Sequence, residues 1–241
     1  MNGSAPLPAG PVLAKLGHEL RGPLNGIMGL ARMMLRKLST GPPDPEAQAR
    51  QLNLLLTSAA EMLRVTEQVT EVARLQSRAA RGVPALIDCR DIVAEVVRGH
   101  RTPAVGRGLL LVADVPPGPV PLHCEADLLE RLVRELIDNA VRYTTGVDIH
   151  IRVSGAPGDT IVIEVANDGP AIPDDERERI FEPFERGDAG RAQGEGGAGL
   201  GLYLARQLAR ELDAELCLRG DAGPGTIFAL EIRGRAAGPA G

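Results

Sequence analysis

His18-Glu19-Leu20-Arg21-Gly22-Pro23-Leu24-Asn25-Gly26-Ile27 lies within a run, from about residue 11 to Leu38, whose apolar residues recur at helical spacing. Leu13, Leu16, Leu20, Leu24, Ile27, Ala31, Leu38 and either Met34 or Leu35 form the series. Steps of three and four residues put them on one face of a helix. At roughly 100° per residue His18 stands about 140° from Leu13, on the polar side. A histidine there is ordinarily a solvated side chain and nothing more. Pro23 alters that reading, because a mid-helix proline removes one backbone hydrogen bond and crowds the carbonyl of Glu19. Such a cost is tolerated where a local distortion is useful.

Outward from this helix, Gly41-Pro42-Pro43-Asp44-Pro45 cannot continue it, since consecutive prolines remove donors and fix φ. A second helical pattern runs from Glu46 to about Ala80, with Leu52, Leu55, Leu56, Ala59, Met62, Leu63, Val69, Val72 and Ala73. Two long amphipathic helices joined by a short break form an antiparallel hairpin. A lone hairpin cannot cover both apolar stripes, so two copies are expected to pair as a four-helix bundle.

Gly82-Val83-Pro84 marks a change of pattern. Strands are expected near 86–89, 109–114, 121–124, 148–154, 160–167, 214–219 and 225–233, and helices near 91–104, 126–143 and 199–212. That alternation predicts an α/β layer arrangement with an antiparallel end, 148–154 against 160–167. Residues 185–198, ERGDAGRAQGEGGA, have little to bury and read as a mobile functional loop. The expected organisation is a loose start (1–10), a helical hairpin (11–82), an α/β domain (83–234) and a loose tail (235–241).

A chain of 241 residues can bury one large core or two modest ones. With 44% hydrophobic and 24% charged residues it is ordinary globular material. Aromatic residues are 2% with no Trp, so Leu, Val, Ile and Ala must build the core. A formal net charge of −5 argues against a nucleic-acid partner. Cys89, Cys124 and Cys217 form no CxxC pair and suit a reducing compartment. No apolar run approaches the roughly 20 residues of a membrane span, so no membrane contact is expected within this segment. The expected location is the cytoplasm, whether alone or as the cytosolic part of a longer membrane-associated or hybrid protein.

The string from His18 to Ile27 resembles the phospho-acceptor box of sensor histidine kinases, whose usual form is HELRTPLNGI. The resemblance implies that His18 accepts phosphate and that Glu19 hydrogen-bonds the imidazole and takes its proton. Neutral imidazole is a nucleophile at physiological pH. Position 22 departs from the family, which usually carries Thr there and less often Asn or Ser.

Four strings in the second half resemble the Bergerat (GHKL) ATP-binding fold shared by histidine kinases and type II topoisomerases. In Glu135-Leu136-Ile137-Asp138-Asn139-Ala140-Val141-Arg142-Tyr143-Thr144, Glu135 and Asn139 share a helix face. The resemblance makes both Mg²⁺ ligands, with hard oxygen donors suited to that ion; Arg142 could meet a phosphate and Tyr143 could stack on adenine. In Asn167-Asp168-Gly169-Pro170-Ala171-Ile172-Pro173, similar to the family's NDGPGIP form, Asp168 is expected to accept the adenine amino group, with Gly169 and Ile172 beside it. Ala171 replaces a usual glycine, which would strain the chain only if φ is positive there. After Phe181-Glu182-Pro183-Phe184 comes Gly197-Ala198-Gly199-Leu200-Gly201-Leu202, opening a helix whose free amides suit phosphate. Finally Gly223-Pro224-Gly225-Thr226 enters the last strand.

Any one of these strings alone has a bland structural reading; together and in family order they span residues 18–226. The implied protein is a homodimeric histidine kinase that uses ATP with Mg²⁺ to phosphorylate itself and passes the group to a response-regulator receiver domain. The alternatives are a phosphotransfer adaptor or pseudokinase of the same fold, separable by ATP binding, and another ATPase of the superfamily, such as a chaperone, which would form no phosphohistidine.

Gly22 lies one turn beyond His18 and offers no group to hold the water that would hydrolyse a partner's aspartyl phosphate. It also loosens the helix by about 1 kcal/mol relative to Ala. The protein is therefore expected to be strong as a kinase and weak as a phosphatase. Gly22→Thr should speed decay of a phosphorylated receiver while preserving autophosphorylation, both read as label against time. Strong acceleration by the native sequence would assign the water to another residue, Asn25 being nearest.

Overall fold

The computed structural model describes residues 9–39, 44–76, 82–156, 159–188, 198–220 and 225–233. Helix α1 (Ala9–Leu38) carries Pro23 inside it. Helix α2 is Pro45–Gln76, one residue longer at its start than the sequence suggests. The reason is local: Asp44 accepts the Glu46 amide at 3.1 Å, and a proline in the first helical position lacks only an amide that would be orphaned anyway. Gln51 reaches Met33, and Ser58 Oγ lies 3.4 Å from where a Cβ on Gly26 would stand. These contacts set the antiparallel register and bring Arg64 level with Leu20, two residues from His18. Leu24, Leu35, Leu52, Leu56 and Leu63 remain exposed on the hairpin.

The rest of the described chain runs β1 (Ala85–Asp88), α3 (Cys89–Gly106), β2 (Leu110–Asp114), β3 (Pro121–Cys124), α4 (Ala126–Tyr143), β4 (Asp148–Ala156), β5 (Thr160–Asn167), a 3₁₀ turn (Arg179–Phe181), α5 (Gly201–Glu211), β6 (Ala214–Arg219) and β7 (Thr226–Arg233). Strands β1 and β3 pair as a small antiparallel ribbon; the other five form one sheet in the order β2-β4-β5-β7-β6. Only β2–β4 is parallel, and β4 pairs antiparallel with β5 as expected.

Period-two alternation gives the sheet two unlike faces. Ile149, Ile151, Ile163, Val165, Phe228 and Leu230 are buried on one. The other carries Arg219 bonded to Glu164 at 2.7 Å and paired with Glu231. Helices α3, α4 and α5 meet β2, β5 and β6 respectively and cover the apolar face, making a two-layer sandwich.

The hairpin docks on the helix layer, with α2 against α5. Val65, Gln68 and Val72 of α2 are buried there, three and four residues apart on one face. Glu71 receives Arg131 of α4 at 2.5 Å, and Lys15 of α1 reaches Glu185 at 3.8 Å.

Candidate active site

Helix α4 builds the floor of the site because its two faces do different work. Leu129, Leu132, Val133, Leu136, Ile137 and Ala140 are fully buried against the sheet and neighbouring helices. That fixes the helix roll and turns Glu135, Asp138, Asn139 and Arg142 into one cavity. Behind them, buried His100 of α3 donates from Nδ1 to the Val96 carbonyl at 2.7 Å, and its Nε2 lies 3.0 Å from Asp138 Oδ1. Burial would lower the imidazole pKa, but the Asp138 carboxylate and the Val96 carbonyl outweigh it and move it up.

Several residues singled out in the sequence meet at this cavity. Glu135, Asn139, Arg142 and Tyr143 line one wall, and Gly199, Gly201 and Leu202 another; Ile172 and Thr226 line the cavity too. Gly199 has φ +66°, and a Cβ there would stand 2.6 Å from the Glu185 carbonyl. Only glycine permits that approach. Phe184 donates its amide to the Gly199 carbonyl at 2.8 Å, which closes the base of the glycine-rich loop. Gly201 opens α5, and a Cβ on it would come within 2.9 Å of Glu135 Oε2, so the helix start abuts that carboxylate. Phe181 packs edge-on against Phe228 with ring centroids 6.1 Å apart. Gly197, and residues 189–197 of the expected mobile loop, lie outside the described residues.

Other expectations meet a different arrangement. Leu200 and Gly169 are buried, and neither is among the residues that line the cavity. Ala171 lines the cavity without a positive φ, so it carries no strain. Asp168 is exposed and is not among the residues that line the cavity. Its carboxylate turns to the α4–β4 connection, where a Cβ on Gly146 would stand 2.6 Å from Oδ2. Asn167 faces the cavity instead and is 6% exposed. The cause is the strand's alternation: Asn167 continues the inward series Ile163, Val165, and one residue further on the side chain points the other way. That alternation in Ile161-Val162-Ile163-Glu164-Val165-Ala166-Asn167 was the signal that could have found it.

His18 is exposed on α1 and Glu19 half-buried; neither lines the cavity. The hairpin enters the site through α2 instead. Arg64 lines the cavity, and Glu61 holds it at 2.9 Å while also receiving Arg142 at 3.2 Å. Burial would raise the Glu61 carboxyl pKa, but Arg64 and then Arg142 outweigh it and hold it below the usual range. Gln68 donates Nε2 to Glu135 Oε2 at 2.7 Å. Burial first, then Asp138, pushes the Glu135 carboxyl up to about 7, against the pull of Arg64, Gln68 and Arg142. Nothing in the sequence marked Arg64 or Gln68 as site residues, because their role depends on how the hairpin docks.

Two family descriptions match successive parts of the chain. The His Kinase A (phospho-acceptor) domain covers residues 11–78, and the histidine kinase-, DNA gyrase B- and HSP90-like ATPase covers residues 124–236. The sensor histidine kinase AruS of Pseudomonas aeruginosa is 32% identical over 231 residues, which is 91% of this chain but 22% of AruS. The structure of ShkA in complex with AMPPNP is similar with a TM-score of 0.65 at 28% identity, over 94% of this chain and 46% of that one. The histidine kinase AdeS of Acinetobacter baumannii shares the fold, with a TM-score of 0.67 at 20% identity over 91% of this chain and 98% of that one. With acceptor helix, hairpin and ATP-binding domain in this order, the chain belongs to the sensor histidine kinases. It spans about a fifth of the length of AruS. No helix among the described residues is long and apolar enough to cross a membrane.

Arg142 stands on the cavity wall but is neutralised by a carboxylate from the hairpin. Glu61→Gln removes that charge and is expected to tighten binding of Mg²⁺–ATP by about fivefold, close to 1 kcal/mol for a half-buried pair. Calorimetric titration reads it; unchanged affinity would show that Glu61 and the nucleotide do not compete for Arg142.

Proposed function

We propose that the chain is an ATP-dependent protein histidine kinase that phosphorylates His18 and then passes the phosphoryl group to an aspartate of a response-regulator receiver domain. The carrying observation is the pairing of an exposed histidine on a hairpin with a cavity that combines Asn139, Arg142, Tyr143 and the glycine-opened start of α5. Phosphoryl transfer needs positioning and charge stabilisation more than covalent help from the protein. The free amides at the start of α5, beside Gly199 and Gly201, suit phosphate oxygens, and Arg142 adds a cation once released from Glu61. Tyr143 and Ile172 offer surfaces for the base. His18 supplies the imidazole that attacks the γ-phosphorus in line as the bond to the β–γ bridging oxygen breaks and ADP leaves, and Glu19 accepts the imidazole proton.

The donor set suits Mg²⁺. An Asn139 amide oxygen and a Glu135 carboxylate lie one turn apart on the same wall, and among the described residues no larger cluster of His, Cys, Asp or Glu could hold a metal. Few protein oxygens with the rest from phosphate and water is how Mg²⁺ sits in nucleotide sites, where it neutralises phosphate charge. Asn139 and Glu135 would hold it; Glu135 must first exchange its bond from Gln68.

The reading extends to organisation. The hairpin (11–82) would pair with a second copy through the exposed leucines of α1 and α2, since burying large apolar side chains at about 25 cal/mol per Å² favours association. The α/β domain (83–234) would bind ATP, and the cytoplasm, with its ATP and receiver proteins, is the fitting location.

His18→Gln should abolish incorporation of labelled phosphate while leaving nucleotide affinity within about twofold, because His18 does not touch the cavity. Asn139→Ala should abolish incorporation through loss of the Mg²⁺ ligand. Labelling retained at the native rate in the first variant would remove His18 from the mechanism. In the second, it would move the metal site elsewhere.

A further inference from the structure

We infer that Arg64, carried into the cavity by the hairpin, grips the γ-phosphate of a bound triphosphate and is a further catalytic residue of the transfer to histidine. The inference rests on the cavity being a nucleotide site. Arg64 belongs to α2 yet lines the cavity beside Glu135, Asp138, Asn139 and Arg142 of α4. Its place is at the phosphate end. Gln68, one turn further along α2, bonds Glu135 Oε2 at 2.7 Å, and Glu135 abuts Gly201, the first residue of α5. The hairpin register, with Gly26 beside Ser58 and Met33 beside Gln51, sets Arg64 level with Leu20. That level is two residues, or about 3 Å of helix axis, from that of His18. One guanidinium thus stands in the cavity of the donor and near the hairpin level of the acceptor.

Arg64 holds Glu61 through Nε at 3.2 Å and Nη2 at 2.9 Å, which uses one edge of the guanidinium. Among the described residues Nη1 has no hydrogen-bond partner. The Nη1–Nη2 edge is therefore open, and such an edge takes two phosphate oxygens at once. Charge points the same way. Glu61 is one carboxylate against two guanidiniums, Arg64 and Arg142, which hold it ionised, so the trio keeps one positive charge. Of the other carboxylates on this wall of α4, Glu135 is proposed to meet the metal ion and Asp138 faces His100 at 3.0 Å. The surplus charge is left for the phosphates. In the transfer an imidazole nitrogen of His18 bonds the γ-phosphorus as the bond to the β–γ bridging oxygen breaks. The electron pair leaves with ADP, and the imidazole proton passes to Glu19. Charge is spread over the three other γ-oxygens throughout. A guanidinium forked onto two of them aims the phosphoryl group and offsets its charge, and a cation already in place costs no reorganisation during the reaction. ADP lacks those oxygens and gives Arg64 less to hold.

The test compares the full native chain with Arg64→Gln and Arg64→Lys. Calorimetry reads the affinities for Mg²⁺–AMPPNP and Mg²⁺–ADP, and labelling from saturating γ-labelled ATP reads the rate. In Arg64→Gln the AMPPNP affinity should fall by about fivefold or more, the ADP affinity stay within about twofold, and the rate fall by about a hundredfold. Arg64→Lys keeps the charge without the fork and should recover about tenfold of that rate. Because Glu61 restrains the guanidinium, Glu61→Gln should move AMPPNP affinity in the opposite direction from Arg64→Gln. A native chain that binds AMPPNP and labels His18, with Arg64→Gln within about threefold of its rate, overturns the inference and leaves the nucleotide site standing. So does equal weakening of ADP and AMPPNP in that variant, or weakening of AMPPNP by Glu61→Gln as well, which would reduce Arg64 to a prop for the hairpin. A native chain that binds neither nucleotide overturns the nucleotide-site reading and this inference together.

Discussion

The structure depends most on the roll of α4. Six apolar side chains of that helix are fully buried, and at roughly 25 cal/mol per Å² their burial outweighs anything the polar face could contribute to its orientation. The same roll leaves Glu135, Asp138, Asn139 and Arg142 no direction but the cavity. Stability and site geometry are therefore one constraint. A change that tilted α4 would move the carboxylate, amide and guanidinium together.

The hairpin uses that arrangement without covering it with apolar surface. Its contacts are mixed: Val65 and Val72 bury apolar area, while Glu61, Gln68 and Glu71 each engage a polar residue of α4. Two of those partners, Glu135 and Arg142, are residues that a nucleotide with its metal ion would use. If the cavity takes a nucleotide as proposed, it would draw on groups that the docked hairpin already engages, through exchanged ion pairs and hydrogen bonds.

Much of this was legible in the sequence where periodicity is strong. Helices α1, α2 and α4 and the strand pair β4–β5 follow from apolar spacing within one or two residues at most ends. The departures have local causes. Pro45 belongs to α2 because the first turn of a helix does not need its amide. Asn167 rather than Asp168 faces the cavity because strand alternation, not the chemical appeal of a carboxylate, sets direction. Arg64 and Gln68 were invisible because two elements far apart in sequence must dock before those side chains have a function; a single helix pattern shows only that they are polar. His18 was visible as an exposed histidine beside a helical proline, yet its distance from the cavity belongs to the docking of domains and not to either pattern.

The central claim is chemical: the phosphoryl group ends on an imidazole nitrogen. The direct measurement is to incubate the native chain with γ-labelled ATP and Mg²⁺, denature it, and divide the product between acid and alkali. The account predicts label lost in acid and kept in alkali, the behaviour of a phosphoramidate. Label that survives acid, as a serine or threonine ester would, or no label at all, would contradict it.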